Sequence, residues 1–230
     1  MKSLEIAHYV RRCLEKGGAI WMYKGPPRKE APHALLTSGQ HSNGYVDVGS
    51  YLKGHPTERE EMASLMLEQI PGDWRDGLDA VVGADTSSTD LAKDIANLAG
   101  IRHIVMLKTE NEQGKAQTWS PENQLLKDGE LVLQVEELVT TAVSALMVRQ
   151  GIRKVNPGVA FKFAPLLPVI VDRSDPLRGV EAVEDSRILS LLRLRISNFD
   201  PGPSSCPFCQ AGSEAIKPKE GTNWQRLVAA

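Results

Sequence analysis

Between residues 79 and 173 the chain repeats one pattern: a short apolar run, a polar turn, then apolar residues at helical spacing. "LDAVVG" leads into "STDLAKDIANLAG", "IRHIVMLK" is a second apolar run, "ELVLQV" leads into "TTAVSALMVRQGI", and "PLLPVIVDR" is a fourth. Runs that are apolar throughout, rather than alternating with polar residues, suit strands buried on both faces. That is the condition of a parallel sheet covered by helices. The pattern predicts an α/β fold with a central, mainly parallel sheet flanked by helices. It also directs attention to the strand-to-helix turns, because open parallel sheets bind ligands at the carboxyl ends of their strands.

The 230 residues suffice for one such domain with a substantial core. Leu4, Ala7, Val10 and Leu14 recur at helical spacing before Gly17-Gly18 and predict an N-terminal helix. Thr57 and Glu60 form a capping box ahead of a second helix with a stripe of Met62, Leu65, Met66 and Ile70. The Gly-, Pro-, Ser- and His-rich stretch between them predicts loops and hairpins. We divide a single domain into an N-terminal helix and hood (1–70), a parallel-sheet core (71–200) and an irregular tail (201–230). The polar stretch "TENEQGKAQTWSPENQLLKDG" predicts a mobile functional loop.

A net charge of −2 from 27 basic and 29 acidic residues leaves no electrostatic footprint for nucleic acid or an anionic membrane. Neither a leader-like apolar segment nor a run long enough to span a bilayer is present, so the expectation is a soluble, cytoplasmic chain. Three cysteines do not make a disulfide framework and fit a reducing setting. Cys206 and Cys209 have the spacing of half a zinc site. No second pair follows, and Cys13, His8, His33, His55 and His103 are scattered, so the expectation there is a structural turn without metal.

Two turns offer chemistry. In "VVGADTSSTDLA", Asp85, Thr86, Ser87 and Ser88 lie between a strand and a helix; they suit an anion, and they equally suit a polar helix cap. In "LVLQVEELVTTAVSALMVRQGI", the pair Glu136-Glu137 precedes Thr140 and Thr141 at a helix start. Adjacent acids at a strand end are commonly a solvated edge. Here they follow a strand expected to be fully buried, which favours a site able to take ribose hydroxyls, Mg²⁺ and phosphate together.

This second stretch resembles the phosphoribosyl pyrophosphate motif of the type I phosphoribosyltransferases. "ALLTSGQHSNGYVDV" resembles the N-terminal signature of the orotate phosphoribosyltransferases, with Ser38, Gly39, His41, Ser42 and Tyr45 in place. "VVGADTSSTDLAKDIANLAG" is similar to their pyrophosphate turn and following helix. "VIVDR" and "CPFCQAGSEAIKPKE" resemble a later strand and the cysteine-bearing C-terminus of some bacterial members. The resemblance implies a type I phosphoribosyltransferase-like fold with an N-terminal hood. It implies transfer of ribose-5-phosphate from phosphoribosyl pyrophosphate to orotate, giving orotidine 5'-monophosphate and pyrophosphate in pyrimidine nucleotide synthesis, with Mg²⁺ as cofactor. Another nucleobase acceptor, or a weak homologue that binds nucleotides or partners, stand as alternatives.

Carried over by motif, Glu136 and Glu137 would hold the ribose hydroxyls and, indirectly, Mg²⁺. Thr140, Thr141, Ala142, Val143 and Ser144 would hold the 5-phosphate, Asp85 to Ser88 would border the pyrophosphate, and Ser38, Gly39, His41 and Tyr45 would face the base. Lys108, Lys115 and Glu137 would serve catalysis, with Lys115 on a loop that in the family reaches a neighbouring subunit, so a homodimer is expected. The chain departs from the pattern at Glu137, where aspartate is usual, and at Ala142-Val143, where glycines are usual. It departs also at Ser87-Ser88, at Thr37, at "QTW" and at Gln134 inside an otherwise apolar strand. If the phosphate turn requires a positive φ, the missing glycines are expected to weaken phosphate binding.

Overall fold

A computed structural model describes residues 3–86, 88–111, 114–174 and 182–230. Its central sheet runs in the order Arg102–Ile104, Ala80–Gly83, Leu131–Val139, Leu166–Asp172, Ser186–Arg193, Ala182–Val183. The short strand Lys162–Phe163 pairs beside Leu131–Val132. All these pairings are parallel except the last, where Ala182–Val183 runs antiparallel to Ser186–Arg193. The four apolar runs expected as strands all contribute to it.

Successive strand side chains point to opposite faces, and the core divides accordingly. Val81, Leu133 and Val135 pack with the helices Ser3–Lys16, Pro56–Glu68 and Thr89–Ala99. Ala80, Val82 and Val132 pack with Val148 and Ile152 of the helix Val143–Val155 on the other face. The Pro56–Glu68 helix starts at its proline, with His55 as N-cap and no side-chain cap bond, so the Thr57 capping box does not form. Gly100 ends Thr89–Ala99 in the left-handed region. Among the described residues no helix is long and apolar enough to cross a membrane.

Three expectations change. "IRHIVMLK" is two strands: Arg102–Ile104 joins the sheet, whereas Met106–Asn111 pairs antiparallel with Gly114–Trp119, so the first half of the stretch read as a mobile loop belongs to a strand pair and only its second half, 120–129, is irregular. The acid pair does not follow the third strand but lies within it, Glu136 standing opposite Val169. The tail is not wholly irregular. It holds the short helices Pro207–Gln210 and Asn223–Ala229 and the strand Ala215–Ile216, which pairs with His33–Ala34; just ahead of the tail Asn198–Phe199 pairs with His41–Ser42, so the two strands flank the hood hairpin in a four-stranded sheet.

Candidate active site

The carboxyl end of Leu131–Val139 meets the turn after Ala80–Gly83. Ser88 in that turn is fully buried, and its Oγ accepts the Glu137 N–H at 3.1 Å. The same hydroxyl is 3.2 Å from Glu136 Oε2 and also reaches Glu137 Oε2. Ser88 caps the Thr89–Ala99 helix by position but makes no side-chain cap bond. Its hydroxyl turns to the acids instead of to the helix N–H groups. The approach depends on Gly83: a Cβ there would lie 2.3 Å from the Ser88 carbonyl oxygen.

A hydroxyl has one proton to give. Two carboxylates around it cannot both be served, and burial, followed by the Glu137 charge, pushes the Glu136 carboxyl well above its usual range. Glu136 also accepts from Gln134 Nε2 at 3.2 Å. Gln134, the polar residue in an apolar strand, is explained by its second partner: Arg149 Nε donates to Gln134 Oε1 at 2.8 Å, and Gln134 Nε2 also reaches the Ala145 carbonyl at 3.1 Å. Arg149 is itself buried, and it donates further to the Val183 carbonyl, Glu184 and Ser186. An unbroken set of side-chain contacts thus runs from a buried cation to the acid pair.

Beyond the acids the chain turns through residues 140–142 into the Val143–Val155 helix. Ala142 holds φ 58° and ψ 12°, the left-handed region that favours glycine, while Val143 is the first helical residue. The missing glycines therefore matter at one position only. No side chain caps this helix, so its first N–H groups and positive end face a small hollow of about 50 Å³ lined by Glu136 and residues 138–145. The Thr140, Thr141 and Ser144 side chains border the same hollow.

A second cavity, of about 270 Å³, is lined by residues 46–50 and Lys53 of the hood, Thr86, Glu137, Leu138 and Lys219. Lys219 was not found by sequence reasoning. It comes from the tail, pairs with Asp47 Oδ2 at 2.6 Å and donates to Ser50 at 3.3 Å. Its only sequence signal is its place in the tail motif. Hollows of about 490 and 650 Å³ lie elsewhere and touch neither acid. The cavity beside the acids is smaller, and its lining is mostly polar.

Asp85 is clamped by the hairpin: its N–H donates to Gln117 Oε1 at 3.0 Å, its carbonyl accepts from Gln117 Nε2 at 2.8 Å, and its Oδ2 accepts the Lys108 N–H at 2.9 Å. The glutamine of "QTW" thus positions the turn. Lys108 lies on this hairpin, opposite Gln117, rather than at the end of a sheet strand. Lys115 stands opposite Glu110; its side chain, like Ser87, lies outside the described residues.

The hood residues separate. Tyr45 is partly buried against Trp224, and burial raises its hydroxyl's pKa, with Lys219 opposing. Ser38 and Gly39 form an exposed hairpin turn, with Gly39 at φ 83°, and do not line the cavity. His41 is also not on that cavity. It is buried, with Nδ1 2.9 Å from His33 Nε2 and 3.2 Å from Cys209 Sγ.

Set beside known proteins, the chain is 30% identical to the orotate phosphoribosyltransferase of Heliobacterium modesticaldum over 194 residues, 83% of this chain and 90% of that protein. It is 28% identical to the orotate phosphoribosyltransferase of Pelotomaculum thermopropionicum over 186 residues, 81% of this chain and 87% of that one. Among solved structures, orotate phosphoribosyltransferase from Aeropyrum pernix superposes with a TM-score of 0.60 at 21% identity, covering 80% of this chain and 93% of that chain. No family model matches the sequence.

Proposed function

The chain belongs to the orotate phosphoribosyltransferase family, and from that premise we propose that it transfers ribose-5-phosphate from phosphoribosyl pyrophosphate to orotate. A ring nitrogen of orotate gives up its proton to solvent and bonds to ribose C1 as the bond from C1 to the pyrophosphate oxygen breaks, giving orotidine 5'-monophosphate and pyrophosphate. Positive charge develops on the ribose and negative charge on the leaving group, so the protein's task is to position and to stabilise charge.

The observation that carries the reading, besides the family, is the continuity of three elements at the carboxyl ends of two neighbouring inner strands. These are the acid pair, the uncapped helix start with Thr140, Thr141 and Ser144, and the Asp85–Ser88 turn held by Gln117. In this proposal the helix start binds the 5-phosphate, Glu136 and Glu137 accept the ribose hydroxyls, and Thr86 with the Asp85 turn borders the pyrophosphate. Lys108 and Lys115 supply positive charge to the leaving group, and Lys219 with Lys53 does so from the hood side of the cavity.

Two carboxyl groups converging on one hydroxyl, one of them buried, are hard oxygen donors that fit Mg²⁺ beside the ribose. Mg²⁺ held there would offset charge on the pyrophosphate. The proposal includes a homodimer, for which Leu98, Leu107 and Leu125 expose apolar surface, in the cytoplasm, where the three free cysteines suit a reducing setting.

The test is an assay of purified protein with orotate, phosphoribosyl pyrophosphate and Mg²⁺, following loss of orotate. Formation of orotidine 5'-monophosphate, abolished when Mg²⁺ is withheld, is the expected result. A chain that binds phosphoribosyl pyrophosphate but leaves orotate unchanged refutes the assignment of the acceptor.

A further inference from the structure

Far from the acid pair in sequence and chemistry, the hood and tail bring four metal-binding side chains to one point. His33 and His41 stand on the two strands of the hood hairpin, Cys206 precedes the Pro207–Gln210 helix, and Cys209 lies in it. One ligand atom from each falls within 4.8 Å of every other. His33 Nε2 is 2.9 Å from His41 Nδ1, 3.7 Å from Cys206 Sγ and 3.9 Å from Cys209 Sγ, and Cys209 Sγ is 3.2 Å from His41 Nδ1. Around a tetrahedral zinc bound by two sulfurs and two nitrogens, ligand atoms lie roughly 3.3–3.8 Å apart, from the usual bond lengths. The observed spacings bracket that range.

The ring orientation of His33 is set independently. Ser213 Oγ donates to the Ala31 carbonyl at 2.6 Å, so towards His33 Nδ1, 2.8 Å away, it can only accept. Nδ1 therefore carries the proton, and Nε2 presents its lone pair to the cluster. This is the outer hydrogen bond that metal-binding histidines make. His33 and Cys206 are fully or almost fully buried, His41 nearly so, and Cys209 is at the rim. Phe208 stacks on His33 with 5.1 Å between ring centres, and Tyr23 and Phe199 pack against Phe208. Two imidazole nitrogens and two sulfurs turned to one buried point require a shared proton or a cation.

We propose that His33, His41, Cys206 and Cys209 form a structural zinc site that ties the C-terminal tail to the hood. Zinc is favoured over harder cations by the two sulfurs and two imidazoles and by the closed set of four protein ligands. Binding releases both thiol protons to solvent, and two thiolates balance the charge of Zn²⁺, so the loaded centre is neutral among its aromatic neighbours. The proposal runs against the expectation of a metal-free turn at Cys206 and Cys209. The site also links to the cavity beside the acids, since Lys219 follows on the tail that the metal would fix.

The experiment is metal analysis of the full chain purified without a histidine tag, with cobalt reconstitution and thiol titration. One zinc per chain is expected, replaceable by cobalt with the visible spectrum of a tetrahedral site and sulfur-to-metal charge transfer. Cys209→Ser and the double variant Cys206→Ser, Cys209→Ser should lose the metal, and chelation of the wild type should lower its melting temperature and open the tail to protease. Should the double variant fail to fold, the cobalt spectrum of the wild type and the protection of its two thiols by zinc still decide. The proposal is overturned if the reduced wild type takes up no zinc, if the cysteines react as freely with zinc as without it, or if they form a disulfide and bind no metal once reduced.

Discussion

Arg149→Met tests whether the buried cation braces the acid-bearing strand. Methionine keeps much of the aliphatic stem and removes every donor. Arg149 is 1% exposed, so its partners have little access to replacement water. Gln134 Oε1, 2.8 Å from Nε, and the Val183 carbonyl, 2.9 Å from Nη1, lose this donor. Glu184 keeps Arg153, at 2.7 and 2.6 Å, and Ser186 keeps its bond to the Ala164 carbonyl at 2.5 Å. Two orphaned acceptors cost about 1–3 kcal/mol each. The cation also sits 4.3 Å above the Phe163 ring, a contact worth about 2 kcal/mol when desolvated. Against these stands the recovered cost of burying the guanidinium, several kcal/mol. The balance is a loss of about 3 kcal/mol, at the low end for breaking a buried pair. At roughly 2–4 °C per kcal/mol for a chain of this size, the melting temperature should fall by about 6–12 °C. Adding Gln134→Leu removes one orphan but also takes the Nε2 donor from Glu136 and the Ala145 carbonyl, so the double variant should lose less than the sum of the two single losses. Thermal denaturation of the two single variants and the double variant measures this. A drop below about 2 °C for Arg149→Met, or strictly additive effects in the double variant, would refute the reasoning.

Two further outcomes follow from the site. Because Ala142 already holds the left-handed conformation in the folded chain, its strain of about 1–2 kcal/mol is present with or without ligand and does not weaken binding. Ala142→Gly should thus leave the affinity for phosphoribosyl pyrophosphate within about threefold of wild type by calorimetry; a tenfold gain would show that the turn rearranges on binding. Stability should also change little, since the relieved strain is offset by about 0.8 kcal/mol of methyl burial and about 0.4–1 kcal/mol of extra freedom in the unfolded chain. Burial and the Glu137 charge raise Glu136 from 4.5 to about 8. Between those values the folded chain keeps a proton that the unfolded chain has released, so this group's contribution to stability is full below the lower value and lost as pH rises towards the upper. Denaturant titrations from pH 5 to 8 should show that decline, flattened in Glu136→Gln; an equal slope in both proteins would remove Glu136 as its source.

The sequence by itself determined the parallel sheet, its four apolar runs and the acid pair with its helix start. Each of these is written in local periodicity: a strand buried on both faces needs an unbroken apolar run, and a helix needs a stripe, whatever lies across the fold. Only the tertiary structure decided which distant groups meet. Gln134 looked like a flaw in its strand until Arg149 arrived from the opposing helix, and "QTW" looked like a bare departure from the family pattern until Gln117 was seen holding Asp85. His33 looked scattered and His41 was read only as part of the hood signature, because Cys206 and Cys209 are some 170 residues further on, 173 between His33 and Cys206. Spacing along the chain carries no signal for such a meeting. It arises when Asn198–Phe199 and the tail strand Ala215–Ile216 pair on the two sides of the hood hairpin, and backbone hydrogen bonding between strands so short leaves little mark in their side chains.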